Sequence, residues 1–279
     1  DGMGDDPSET IVFEMNMSYV DIPPGRKAIA IDAGHDHTCA ILDDRSLVCW
    51  GFGNAGRLGN GDDSNRFTPA VVELTEGRHA IAVSAGGDHT CAILDDGSMA
   101  CWGNNGGGQL GNGEWGQWEG TPVGVLLPDG RSATSVSAEE DHTCAILDDG
   151  SLYCWGKNTY GQIGNGEYSW GGGPTNSRIT TPVMAALPDS SEAFAVSTGN
   201  AYTCAILQGG SAHCWGYNEY GALGLGYYNS SAPYSVHLPE PVGTSLLGSD
   251  HLSLSERDLD GDFSINLFDS VRLGGQSGS

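Results

Sequence analysis

The chain has 279 residues, 44 of them glycine, and a formal charge of 11 − 36 = −25. Such an acidic surface makes phosphate backbones and anionic lipid poor partners, and leaves cations, basic proteins and neutral glycans open. No apolar run approaches the roughly 18 residues of a membrane-spanning helix. No charged start leads into an apolar stretch either, so any signal peptide is read as already removed.

In chain order, residues 1–9 read as a flexible tail and 10–22 as an extra strand. Ile11, Phe13, Met15, Met17 and Tyr19 alternate with Glu14, Asn16 and Ser18, the period-two pattern of a half-buried strand. Because it belongs to no repeat, this strand is expected to close a ring or to pair with a neighbouring copy. Asn16 heads an Asn-x-Ser sequence, as does Asn229, and both are glycosylation candidates in a secreted chain.

A fourfold repeat then fills residues 26–246. The eight cysteines fall at Cys39 and Cys49, Cys91 and Cys101, Cys144 and Cys154, Cys204 and Cys214, every pair being Cys-x9-Cys. Between the members of a pair lie an apolar stretch, a polar turn and a second apolar stretch. In the third pair, Asp148-Asp149-Gly150 reads as a hairpin loop with Gly150 in the left-handed position. Pairing Leu147 with Ser151 places Cys144 opposite Cys154, within reach of a disulfide. Four such bridges point to an oxidising, extracellular setting, and the Cys-x2–4-Cys clusters of zinc sites are absent.

Strand-like stretches precede the hairpins at Ala28–Ala33, Ala80–Ala85, Thr134–Ala138 and Ala193–Thr198, and follow them at Pro69–Leu74, Pro122–Leu127, Pro182–Leu187 and Pro241–Leu246. Four short strands per repeat with no helical periodicity predict an all-β propeller of four-stranded blades, one disulfide in each blade hairpin.

The motif His-Thr-x-Ala-(Ile/Leu), followed by Trp-Gly-x-Asn-x-x-Gly-Gln-Leu-Gly, resembles the regulator-of-chromosome-condensation repeat family. Residues 155–166, Trp155-Gly-Lys-Asn-Thr-Tyr-Gly-Gln-Ile-Gly-Asn-Gly166, carry the likeness almost completely. The resemblance implies blades round a central axis, with loops at the two ends as docking surfaces. Its members range from a nuclear exchange factor for the GTPase Ran to secreted inhibitors of β-lactamase, so fold alone says little of function. The usual ring has seven blades, whereas only four clear repeats stand here. A degenerate fifth unit is read from Gly248-Ser-Asp-His-Leu-Ser-Leu, within the C-terminal segment 247–279.

That segment also carries the one metal signal. Asp258, Asp260, Asp262, Ser264, Asn266 and Asp269 stand at loop positions 1, 3, 5, 7, 9 and 12, resembling a dockerin or EF-hand calcium loop, although Phe263 replaces the usual sixth-position glycine. Calcium is thus the expected cofactor.

No catalytic constellation is present: there is no Gly-x-Ser-x-Gly, no His-Glu-x-x-His and no phosphate-cradling loop, so the chain is not read as an enzyme. His37, His89 and His142 recur at one point of each repeat and read as structural, and Trp50, Trp102, Trp155 and Trp215 read as packing between blades. The non-repeating loops 112–120, 166–180 and 226–238 are better candidates for function. They hold Trp115, Trp118, Tyr168, Trp170, Tyr227, Tyr228 and Tyr234 and should emerge together at one end of the blades. Exposed aromatics beside carboxylates suit a secreted or cell-surface module that binds protein or glycan. The alternative reading is a structural subunit that assembles into a filament or ring through its N-terminal strand and blade edges.

Overall fold

The computed structural model describes residues 19–75, 77–168, 177–188, 191–224, 226 and 230–236, with the side chains of 234–236 left out. The chain divides into units 1–237 and 238–279, and all described residues belong to the first.

Each repeat folds into one four-stranded antiparallel sheet whose strands follow in sequence order. Blade 1 contains β1 (Ala28–Ala33), β2 (His37–Leu42), β3 (Leu47–Gly51) and β4 (Arg66–Val71). Blade 2 contains β5 (Ala80–Ala85), β6 (His89–Leu94), β7 (Met99–Gly103) and β8 (Glu119–Gly124). Blade 3 contains β9 (Ala133–Glu139), β10 (His142–Leu147), β11 (Leu152–Lys157) and β12 (Arg178–Met184). Blade 4 contains β13 (Ala193–Thr198), β14 (Tyr202–Leu207), β15 (Ala212–Gly216) and β16 (Ser230–Val236).

The hairpin register is the one that the turn chemistry demands. Gly150 takes φ +77°, its N–H donates to Leu147 O, and Leu147 N–H donates to Ser151 O at 2.9 Å. Cys144 therefore faces Cys154, and the same facing recurs in every blade. Disulfides join 39–49, 91–101, 144–154 and 204–214.

Strand alternation gives every blade two faces. The trailing face carries the disulfide and an isoleucine (Ile41, Ile93, Ile146, Ile206); the leading face carries the tryptophan. Successive faces interleave into three apolar cores, one at each joint. At the first joint Cys39, Ile41, Leu47 and Leu58 of blade 1 meet Ala92, Leu94, Ala100 and Trp102 of blade 2. The other two joints repeat this arrangement.

One expectation is corrected, and a second lies mostly outside the described residues. The fourth strand of blade 4 is β16 at 230–236 and not 241–246, because Ala232-Pro233-Tyr234 is the true counterpart of Thr121-Pro122-Val123: Cys214 pairs with Tyr234 as Cys101 pairs with Val123. The expected strand at 10–22 has no strand geometry over 19–22, where Pro23 and Pro24 follow and Ile22 N–H folds back on Val20 O. Residues 10–18 lie outside the described residues, as do the fifth unit and the calcium-loop segment, with Asp258, Asp260, Asp262, Ser264, Asn266 and Asp269.

Candidate binding face

One end of the blades gathers the β3–β4 loops and their equivalents together with the turns between first and second strands. Three buried asparagines shape the loops. Asn105 accepts Leu110 N–H and donates to Glu114 O, and Asn158 does the same with Ile163 and Glu167. Asn218 accepts from Leu223 and donates to Gly226 O. A side-chain amide can satisfy a backbone donor and a backbone acceptor at once, so a buried loop keeps its polar groups paired. These are the asparagines of the Trp-Gly-x-Asn motif, recurring three residues after each of Trp102, Trp155 and Trp215, and their structural role was not drawn from the sequence.

The same loops lock the joints. The carbonyl of Gln109 accepts Trp155 Nε1–H at 2.8 Å and Thr143 Oγ1–H at 3.0 Å, both from the next blade. Arg57 O serves Trp102 and Thr90, and Gln162 O serves Trp215 and Thr203. Each threonine hydroxyl has given its proton to a carbonyl, so the histidine of the preceding blade must donate to it from Nε2–H. These bonds are His37–Thr90 (2.7 Å), His89–Thr143 (2.8 Å) and His142–Thr203 (2.9 Å). Burial pushes the three histidines down to about 3, 4 and 3 respectively, so all are neutral. They belong to the scaffold, together with the fully buried Trp102, Trp155 and Trp215.

Beyond the scaffold, Trp115, Trp118 and Tyr168 project with exposures of 58%, 48% and 60%. Trp118 lies across the first joint against Gly56. Trp115 sits beneath the Arg178 guanidinium of blade 3, 4.5 Å from ring centroid to Cζ. Arg178 Nε–H donates to Gly106 O at 2.9 Å, which fixes the group at the second joint. Beside it opens a cavity of about 210 Å³ lined by Gly106, Gly107, Asp141, Lys157, Thr159 and Arg178. Lys157 Nζ pairs with Asp141 there at 2.9 Å, whereas Arg178 makes no ion pair among the described residues. The structure thus brings Trp115 to a cationic notch and sets Trp118 and Tyr168 at the same end. Tyr234 lies on β16 with its side chain undescribed, and Trp170, Tyr227, Tyr228, Asn16 and Asn229 lie outside the described residues.

One group of candidate metal ligands occurs among the described residues, also at this end. His35 of blade 1 lies between Glu139 (2.8 Å) and Glu140 (3.3 Å) of blade 3. Burial raises the Glu140 carboxyl above its usual range, and the adjacent Asp141 and Asp88 add to the effect while His35 opposes it. A carboxylate thus lies at each of the two ring nitrogens.

The match to known proteins follows these features. The Regulator of chromosome condensation (RCC1) repeat model covers residues 46–93, 96–146 and 149–206. The chain belongs to the RCC1 repeat family. A second RCC1 repeat model matches residues 28–57, 80–109, 133–162 and 195–222, one stretch in each blade. Among curated proteins, the chain is 30% identical to the ultraviolet-B receptor UVR8 of Arabidopsis thaliana over 76% of its own length and 46% of the receptor. It is 26% identical to the human E3 ubiquitin-protein ligase HERC2 over 74% of its own length and 4% of the ligase. The chain therefore spans less than half of these relatives. Among solved structures, yeast RCC1 (Prp20) bound to Kap60 superposes with TM-score 0.69 at 24% identity, covering 78% of this chain and 50% of that one. Human WBSCR16 gives 0.66 at 21% identity, covering 76% and 54%. These likenesses show the fold.

Proposed function

We propose that this RCC1-repeat protein is a secreted or cell-surface module that binds a protein partner through the loop face at its second joint. The observation that carries the reading is Arg178, fixed by Gly106 O and Trp115 yet without an ion pair among the described residues, in a chain of net charge −25. A guanidinium held in place by an aromatic face and a carbonyl is preorganised to take a partner's carboxylate in bidentate fashion, with Trp115 and Tyr168 supplying apolar contact area beside it. Protein recognition is also in keeping with Prp20, which shares the fold and has been studied for its binding to Gsp1p and histones. The four disulfides support an oxidising location.

The reading is tested by selecting displayed peptides against the wild-type chain, with a glycan array in parallel. Peptides carrying an acidic residue beside an apolar one should be enriched, and Trp115→Ala and Arg178→Gln should each abolish their binding while retaining the wild-type Tm. Selected peptides that bind both variants as well as the wild type would refute the site, and glycans bound in place of peptides would refute the partner class.

A further inference from the structure

Each internal joint is made of two halves. The trailing face of one blade supplies a histidine donor, a loop carbonyl and an isoleucine; the leading face of the next supplies a threonine and a tryptophan. The described residues hold one further copy of each half.

The leading half is on blade 1. Thr38 and Trp50 occupy the places of Thr143 and Trp155, yet both are only half-buried, and neither the hydroxyl nor the indole N–H has a partner among the described residues. Ile31 is 62% exposed, while its counterparts Val83, Val136 and Val196 are packed into joints. Ile22 covers Ala40, Leu42 and Val48, so the open part of this face is the part that forms the polar lock.

The trailing half is on blade 4. Ile206 is 43% exposed, whereas Ile41, Ile93 and Ile146 are 1%, 0% and 4% exposed. Tyr202 stands where the other blades have histidine and is packed over Gly199 as His89 is over Gly86. A phenol, like an Nε2–H imidazole, presents one hydrogen to an acceptor. Ala222 stands where Arg57, Gln109 and Gln162 stand, and the lock needs only its carbonyl. The Asn218–Leu223 bond holds that loop as Asn105–Leu110 holds its counterpart.

We infer that the trailing face of blade 4 docks on the leading face of blade 1 of a second copy. Tyr202 would donate to Thr38, residue 222 O would accept from Thr38 and Trp50, and Ile206 would be buried against the Trp50 face. The contact is heterologous. Each copy contributes four blades among its described residues, and eight lies within the range in which propellers close, so a two-copy ring is the expected product. None of the residues of the proposed loop-face site takes part.

The test is light scattering of the 279-residue chain across a hundredfold range of concentration. The expected mass at the upper end is twice 29.1 kDa. Ile206→Arg and Ile31→Glu should each give the single-chain mass. An equimolar mixture of the two variants should regain the two-chain mass, because one intact pair of faces remains and opposite charges meet at the other. Should either variant lose its melting transition, Tyr202→Phe and Thr38→Val remove the lock without adding charge. Each should weaken the dimer about 5–10-fold. A single-chain mass for the wild type throughout, a two-chain mass indifferent to these substitutions, or a mixture that stays single would each overturn the inference.

Discussion

His89 of blade 2 donates its Nε2–H to Thr143 Oγ1 of blade 3 at 2.8 Å, and Thr143 passes its own proton to Gln109 O back in blade 2. The bond needs a proton on Nε2, and burial disfavours a second proton on Nδ1, so the ring stays neutral.

Acid should therefore loosen the joints before it titrates the carboxylates. In the folded state burial holds His37, His89 and His142 at about 3, 4 and 3, against an ordinary value of 6.5. Below pH 6.5 the unfolded chain binds protons that the folded chain refuses. Stability is thus complete above that pH and falls as pH drops toward 4, by about 1.4 kcal/mol per pH unit for each histidine. Asp44, Asp96 and Asp149 are held below the usual carboxylate range by their serine partners Ser46, Ser98 and Ser151, and so act only in a lower window. Tm followed from pH 7.5 to 5 should decline steadily from 6.5 downward, with a shallower slope in His89→Gln. A flat profile would refute the assignment.

Gly111 and Gly166 both have positive φ, but only Gly111 lies under a neighbour. A Cβ on Gly111 would stand 2.7 Å from Trp155 Nε1, whereas one on Gly166 would meet open space. Gly166→Ala should cost about 1–2 kcal/mol, the price of a left-handed backbone. Gly111→Ala should cost at least ~2 kcal/mol more, since the indole cannot retreat from a filled joint. Urea titration of the two variants measures the difference.

Replacing Cys91 and Cys101 together by serine should lower stability by about 2–3 kcal/mol through loss of a short loop closure. Peptide mapping without reductant should recover bridges within hairpins only. The hairpin alternation already places these cysteines opposite each other, so the paired variant should keep the same secondary structure by circular dichroism.

For the C-terminal segment the expectation rests on sequence. Four carboxylates among Asp258, Asp260, Asp262 and Asp269 repel one another without a cation, and Phe263 should weaken the turn. Millimolar calcium is expected to protect residues 255–272 from proteolysis, and Asp258→Ala with Asp262→Ala should remove that protection. Equal cleavage of both proteins with and without calcium would leave no role for the ion.

Blade number, hairpin register and disulfides could be read from the sequence because each depends on residues a few positions apart. The joints could not. His37 reaches Thr90, a partner 53 positions away that lies in the next repeat and shows in no local pattern. The notch was hidden for the same reason, as Gly106 and Arg178 belong to different repeats. β16 was misplaced because Pro241-Val imitates the usual Pro-Val pair, while the true strand carries Pro233-Tyr.

The joint chemistry also makes the repeats interchangeable as pieces of an inheritance. Each of blades 1–3 hands forward one histidine and one carbonyl, and each of blades 2–4 meets them with one threonine and one tryptophan. Removing residues 80–132 would bring His37 before Thr143, and Arg57 O before Trp155, with the same set of donors and acceptors that each lost. Gain or loss of a whole repeat by unequal recombination thus needs no new interface to be invented.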